Sequence, residues 1–201
     1  MIKRNLLVMG LAVLLSACGF QLRGTGTTEL AIRELDLSAR NAYGETVTQL
    51  RQALQSSGVK VYSGAPYKLV LTDEQETQRI LSYAGAGGTG EYQVNTVLNY
   101  DIRGAHDLPL MSDKLVVQKI FMHDGNNLMG SDQEASTARL ETRRELIQRM
   151  MLRLAQLTPT QLEKMQQTAD AKAKAEAQAL EAAQKAEAET PRQSPVEIPQ
   201  Q

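Results

Sequence analysis

One cysteine, no tryptophan, two phenylalanines and two histidines are all that 201 residues offer of these types. A disulfide needs two thiols, so Cys18 alone cannot staple the fold, and it cannot form a cysteine zinc cluster. His106 and His123 form no His-x-x-x-His pair and fall at opposite ends of one strand and its turn. The glycine-rich stretch Ala84–Gly90 is not followed by a helical pattern, so it is no phosphate cradle. Glu74 and Glu76 alternate along a polar strand, and Ser131 is explained as a helix cap. No constellation meets the demands of a catalytic site, and the sequence predicts no enzyme, no metal and no cofactor beyond covalent lipid. Lys plus Arg (22) nearly balance Asp plus Glu (23) with no basic block, which argues against a nucleic-acid partner.

Long apolar runs are absent too, with one exception. Leu6–Leu15 is apolar or small throughout and follows Lys3 and Arg4. A spanning helix needs about 20 apolar residues, so this shorter run fits the core of a signal peptide over residues 1–17. Leu15-Ser16-Ala17-Cys18 resembles a lipobox. A thiolate is the best nucleophile in the chain for taking up a diacylglycerol group, and small residues before it suit a peptidase that cuts just ahead of the cysteine. Cys18 is therefore predicted to carry an S-diacylglycerol and an N-acyl chain, enough acyl chains for stable anchoring. Gly19 stands where lipoproteins retained at the inner membrane typically carry Asp, which points to the outer membrane. Loss of Lys3 and Arg4 takes the formal net charge from −1 to −3.

Residues 18–30 read as the lipidated N-terminal segment, and residues 31–158 as one domain. A first strand is predicted over Ala31–Ser38. The period then changes: Tyr43, Val47, Leu50 and Leu54 share a helix face, and Gly58 is placed for a left-handed cap. Val59–Tyr62 is a short strand. Tyr67, Leu69 and Leu71 open a longer one that continues through polar Asp73–Arg79 to Ile80–Tyr83. In the next strand Tyr92, Val94, Thr96, Leu98, Tyr100 and Ile102 alternate with polar residues, which predicts an antiparallel sheet with one wet face. Lys114–His123 gives the fourth major strand. Ser131-x-x-Glu134 resembles a capping box opening a helix to about Leu157, with Leu140, Ile147, Met151 and Leu154 on its stripe and Thr158-Pro159 as its stop. The expected fold is an α+β two-layer sandwich of order β-α-β-β-β-α, two helices on one face of a four-stranded, mostly antiparallel mixed sheet. Residues 159–201 read as a low-complexity tail, helical or disordered: Ala169–Glu189 has Leu180 as its one large apolar residue, and Pro191, Pro195 and Pro199 follow.

Cys18-Gly19-Phe20-Gln21-Leu22-Arg23-Gly24 closely resembles the mature N-terminus of the LPS-assembly lipoprotein family, also called rare lipoprotein B. The order of elements, Gly-Glu-Tyr-Gln at Gly90–Gln93, the long C-terminal helix and the tail resemble that family as well. The resemblance implies an outer-membrane lipoprotein on the periplasmic side that plugs the lumen of the LPS-assembly β-barrel, one copy per barrel. It further implies that the protein assists the barrel's assembly, binds lipopolysaccharide and helps place it in the outer leaflet. A phosphate-rich ligand calls for Lys and Arg, and Arg79, Arg103, Lys114 and Lys119 are the candidate contacts. A lipoprotein accessory or chaperone of another envelope machine, such as a barrel-insertion complex or a secretin pilotin, is the alternative reading. An envelope hydrolase built on His106 or His123 is a third.

Overall fold

The computed structural model describes residues 30–42, 44–84 and 88–189. Cys18, the signal segment, Tyr43 and residues 190–201 lie outside the described residues.

Among the described residues five strands and three α-helices follow in order: β1 (Glu34–Ala39), α1 (Glu45–Ser56), β2 (Lys60–Val61), β3 (Lys68–Ala84), β4 (Thr89–Arg103), β5 (Pro109–His123), α2 (Leu128–Ala155) and α3 (Pro159–Glu189). The sheet order is β2-β1-β3-β4-β5. β1 lies parallel to β2 and β3, while β3, β4 and β5 form an antiparallel meander. The mixed two-layer sandwich is as expected. The count differs: the short Val59–Tyr62 segment pairs as a fifth strand at the edge, and the start of the tail forms a third helix.

The local signals explain the elements. Val47, Leu50 and Leu54 are buried along one face of α1, and Gly58 closes the helix end at φ 82. The polar run Asp73–Arg79 is strand throughout, as its lack of a helical period implied. A register shift between Leu71 and Asp73 turns the strand so that Glu74, Glu76 and Gln78 share the helix-facing side with Leu98, Thr96 and Val94.

Two details of α2 correct the sequence reading. The helix begins four residues early, with Asn127 in place of Ser131 as its cap: the Asn127 side chain accepts from the Gly130 N–H at 3.1 Å. Ser131 lies inside the helix, buried, and its hydroxyl accepts from Asp124 N–H at 2.7 Å and donates to Asp124 O at 3.1 Å. It ties the end of β5 to α2 instead of capping it. Leu140, expected on the buried stripe, is 51% exposed. The buried face runs Ser131, Ala135, Ala138, Thr142, Leu146, Met150, Leu154. Its first half is built of small residues, a stripe that a search for large apolar side chains passes over.

The main core gathers Leu35, Leu37, Leu50, Leu54, Leu69, Leu98, Tyr100 and Ile102 beneath Leu146, Met150 and Leu154. A second, smaller cluster of Val94, Phe121, Ala135 and Ala138 sits toward the β3–β4 hairpin. Pro159 stops α2 as predicted and occupies the first position of α3, where a missing N–H is harmless. Leu162, in the first turns of α3, is only 2% exposed and belongs to the main core, so apolar packing runs past residue 158.

Candidate functional site

Both helices α1 and α2 draw on the same sheet face, which the burial of Leu98, Tyr100 and Ile102 marks. The opposite face alternates out of register with it. There β4 presents Glu91, Gln93, Asn95, Val97, Asn99, Asp101 and Arg103, and β5 presents Ser112, Lys114, Val116, Gln118, Ile120 and Met122. Ile120 and Met122 are exposed large apolar side chains on this face, and half-buried Val70, Val97 and Val116 share it with the polar residues. A cross-strand chain of bonds stiffens it: Arg79 Nε donates to Gln93 Oε1 at 2.6 Å, and Gln93 Nε2 donates to Gln118 Oε1 at 3.1 Å.

The four candidate cations are separated by this geometry. Arg79 is exposed on the open face in the outer half of β3. Lys114 is exposed on the same face; its strand level is six residues from that of Arg79, about 20 Å along the sheet. Arg103 lies in a cluster at the β4–β5 turn, bound to Asp107 at 2.8 Å and Asp101 at 3.2 Å, with Lys68 3.6 Å from Asp107. The Arg103 guanidinium, with Lys68 behind it, holds the Asp107 carboxyl below the usual carboxylate range. This cluster supports a turn in which His106 and Asp107 both take positive φ, 59° and 58°. Lys119 points to the helix layer and pairs with Glu141 at 3.4 Å. Two of the four cations are thus engaged with carboxylates, and no two share a partner.

Four of the five arginines of α2 also fold inward, while Arg144 is exposed. Arg139 meets Glu76 at 2.8 Å and donates to Gln78 at 3.1 Å; Arg143 pairs with Glu45 of α1. Arg149 donates to Val116 O at 2.7 Å, satisfying a carbonyl on the edge strand. Arg153 meets Asp113 at 2.6 Å beside the buried Tyr100 ring. The Lys114 backbone N–H and then Arg153 hold Asp113 below its ordinary value, while burial pushes the Tyr100 phenol up. Arg139, Arg143, Arg149 and Arg153 therefore clamp α2 to the sheet and to α1.

What sequence reasoning missed is the apolar end of the molecule. Ile80, Leu81 and Tyr83 at the end of β3, Ile120 and Met122 near the end of β5, and Leu128 and Met129 at the start of α2 are all exposed, Tyr83 at 70% and Met129 at 86%. The loops here are tied together: Gly125 N–H donates to Gly88 O at 3.3 Å, and Thr89 to Asp124 at 3.3 Å. Gly90 is required by contact, since a Cβ there would sit 2.4 Å from Ser82 O. Leu128-Met129 just ahead of Ser131 was the available signal, hidden because the cap was placed after it. His123 stacks against Tyr92 with ring centroids 4.6 Å apart, and His106 is exposed in the turn at the other end of β5. Among the described residues no group of three or more His, Cys, Asp or Glu is placed to hold a metal ion, and no described helix is long and apolar enough to cross a membrane.

This architecture recurs in solved proteins. Rare lipoprotein B from Shewanella oneidensis superposes with a TM-score of 0.54 at 19% identity, covering 61% of this chain and 93% of that one. A lipoprotein B from Nitrosomonas europaea gives 0.53 at 18% identity, over 68% and 88%. At the level of sequence, the LPS-assembly lipoprotein LptE of Pectobacterium atrosepticum is 30% identical over 162 residues, 77% of this chain and 86% of the relative. That of Yersinia enterocolitica is 27% identical over 172 residues, 82% of each. The model of the lipopolysaccharide-assembly family LptE matches residues 32–154, from the segment entering β1 to the penultimate residue of α2, and the chain belongs to that family.

Proposed function

We propose that this protein plugs the lumen of the LPS-assembly β-barrel, one copy per barrel, and helps that barrel assemble. In this reading it is held to the periplasmic side of the outer membrane by lipid on Cys18, and it binds lipopolysaccharide as the lipid is placed in the outer leaflet. Family membership gives the coarser statement, a lipoprotein with a role in lipopolysaccharide assembly. The observation that carries the finer one is the open sheet face. It runs the length of β3, β4 and β5 with no described helix over it, carries more polar and charged side chains than apolar ones, and so is compatible with the polar interior of a barrel. The exposed apolar end supplies a second contact at the far hairpin.

Within this reading Arg79 and Lys114 are the lipopolysaccharide contacts, because both lie exposed on that face. Arg103 and Lys119 are occupied by Asp101, Asp107 and Glu141. The role needs no covalent step. The reading is tested by pulling down C-terminally tagged full-length protein from native outer membranes and analysing the eluate by mass spectrometry and for lipopolysaccharide. A large β-barrel in stoichiometric amount, with lipopolysaccharide, is expected. A monomer in the native extract overturns the plug, and capture of a barrel-insertion complex or a secretin replaces it with the accessory reading.

A further inference from the structure

α3 lies wholly beyond the segment that the family model matches, and its docking builds a site of its own. Gln161, Lys164, Met165, Thr168, Ala169 and Lys172 recur at three- and four-residue steps, so they share one helix face. That face looks across an open cleft of about 570 Å³ onto Pro109, Leu110 and Met111 of β5 and Leu157 after α2. Such a volume lies within the range of small-molecule sites.

The cleft is held open by construction. α3 is pinned at one end by Leu162 in the core. On its flank, Gln166 Oε1 accepts from Ala105 N–H at 3.0 Å, and Gly104 lets that side chain in, since a Cβ there would sit 1.9 Å from the same oxygen. Just beyond these anchors the helix turns Thr168 and Ala169, both small, toward an apolar floor that a large side chain would otherwise fill. The rim carries Arg153, Lys164 and Lys172, and no carboxylate lines the cleft. Arg153 is bound by Asp113 at 2.6 Å, and Lys172 lies 3.8 Å from Glu176, which leaves Lys164 as the rim cation that makes no ion pair among the described residues.

An apolar trough with a cationic rim selects an anionic amphiphile. From Gln161 to Lys172 the helix spans about 16 Å, the scale of one extended fatty-acyl chain. The volume holds one chain, not the several of a lipopolysaccharide. We propose that this cleft binds a single-chain anionic lipid, with its acyl chain on Leu110, Met111, Leu157 and Met165 and its head at Lys164. The proposal is independent of the lumen reading.

The test uses the full chain carrying Cys18→Ser, so that no covalent acyl chain competes, and titrates monomeric myristate calorimetrically. Saturable one-to-one binding is expected, with the uncharged glycerol ester of the same acid about fivefold weaker, the scale of one charge-assisted contact. Ala169→Phe should fill the trough and weaken myristate by about tenfold or more while the thermal midpoint stays in place. Lys164→Gln, an exposed change, should abolish the preference for the charged ligand. Arg79→Gln with Lys114→Gln should leave myristate binding unchanged, which separates this site from the lipopolysaccharide contacts. The proposal is overturned by absence of saturable binding, by binding that survives Ala169→Phe, or by a concentration-dependent oligomer that Ala169→Phe dissolves, which would assign the trough to a second copy of the chain.

Discussion

The two halves of the sheet are held together by different physics. In the half that contains β1, the strands are backed by Leu69, Tyr100 and Ile102, with Leu98 at the boundary, under Leu146, Met150 and Leu154, all at or near zero exposure. In the half toward the β3–β4 hairpin, β1 has ended at Ala39, so β3 from Asp73 onward has no strand on its outer side. There the helix-facing positions of β3 are Glu74, Glu76 and Gln78, met by Thr46 of α1 and Arg139 of α2, and the apolar contribution shrinks to Val94, Phe121 and two alanines. The lesson is that polar residues on a strand guard an exposed edge and still attach a helix. The stable half carries the fold, and the lightly packed half carries the exposed apolar end proposed to meet a partner.

That contrast can be broken by substitution. Leu98→Ala, at a residue with no exposure, should lower unfolding free energy by about 2–5 kcal/mol. Arg139→Met in the outer half should cost no more than about 1 kcal/mol, because the ion pair it removes is about 40% exposed on each side. Urea denaturation of both variants checks the ratio; equal losses would mean that the outer half is as firmly packed as the inner. Gly90→Ala sharpens the comparison from the other side. Its Cβ would press on the Ser82 carbonyl, a backbone atom that cannot step aside. A cost of about 1–3 kcal/mol is expected, with faster hydrogen exchange confined to the hairpin and the 124–127 loop and the inner half unchanged.

The smallest effect concerns pH. Asp113 is held below its ordinary value by the Lys114 N–H and by Arg153. A depressed carboxyl contributes stability above the unfolded value, 3.8, and loses it as pH falls through the lower folded value. Asp113→Asn should therefore be less stable than the parent at pH 7 by roughly 1 kcal/mol or less, the range of a partly exposed pair. The difference should close below pH 3.8, as followed by thermal unfolding across pH.

Much of the fold was legible because its signals are local. The two-residue alternation of β4, the helical spacing of Val47, Leu50 and Leu54, the left-handed Gly58 and the stop at Pro159 each act through the backbone of their own segment. The cap of α2 was misplaced because Ser131-x-x-Glu134 satisfies the pattern as well as Asn127 does; only the hydrogen bonds of Ser131 to Asp124 tell the two apart. Leu140 was misassigned because large apolar residues draw the eye, whereas Ala135, Ala138 and Thr142 let α2 approach Val94 and Phe121.

The sequence by itself determined the family resemblance, the predicted lipid attachment at Cys18, the order of elements and the polar character of one sheet face. These depend on residue identity and short spacing, which need no third dimension. Tertiary structure alone decided which cations are engaged, since Arg103 meets Asp107 across a turn and Lys119 meets Glu141 of a different element. It also decided that α3 returns to the body and leaves a trough beside β5. Both outcomes depend on side chains from distant segments arriving within a few ångströms, and no pattern along one strand or helix encodes that distance.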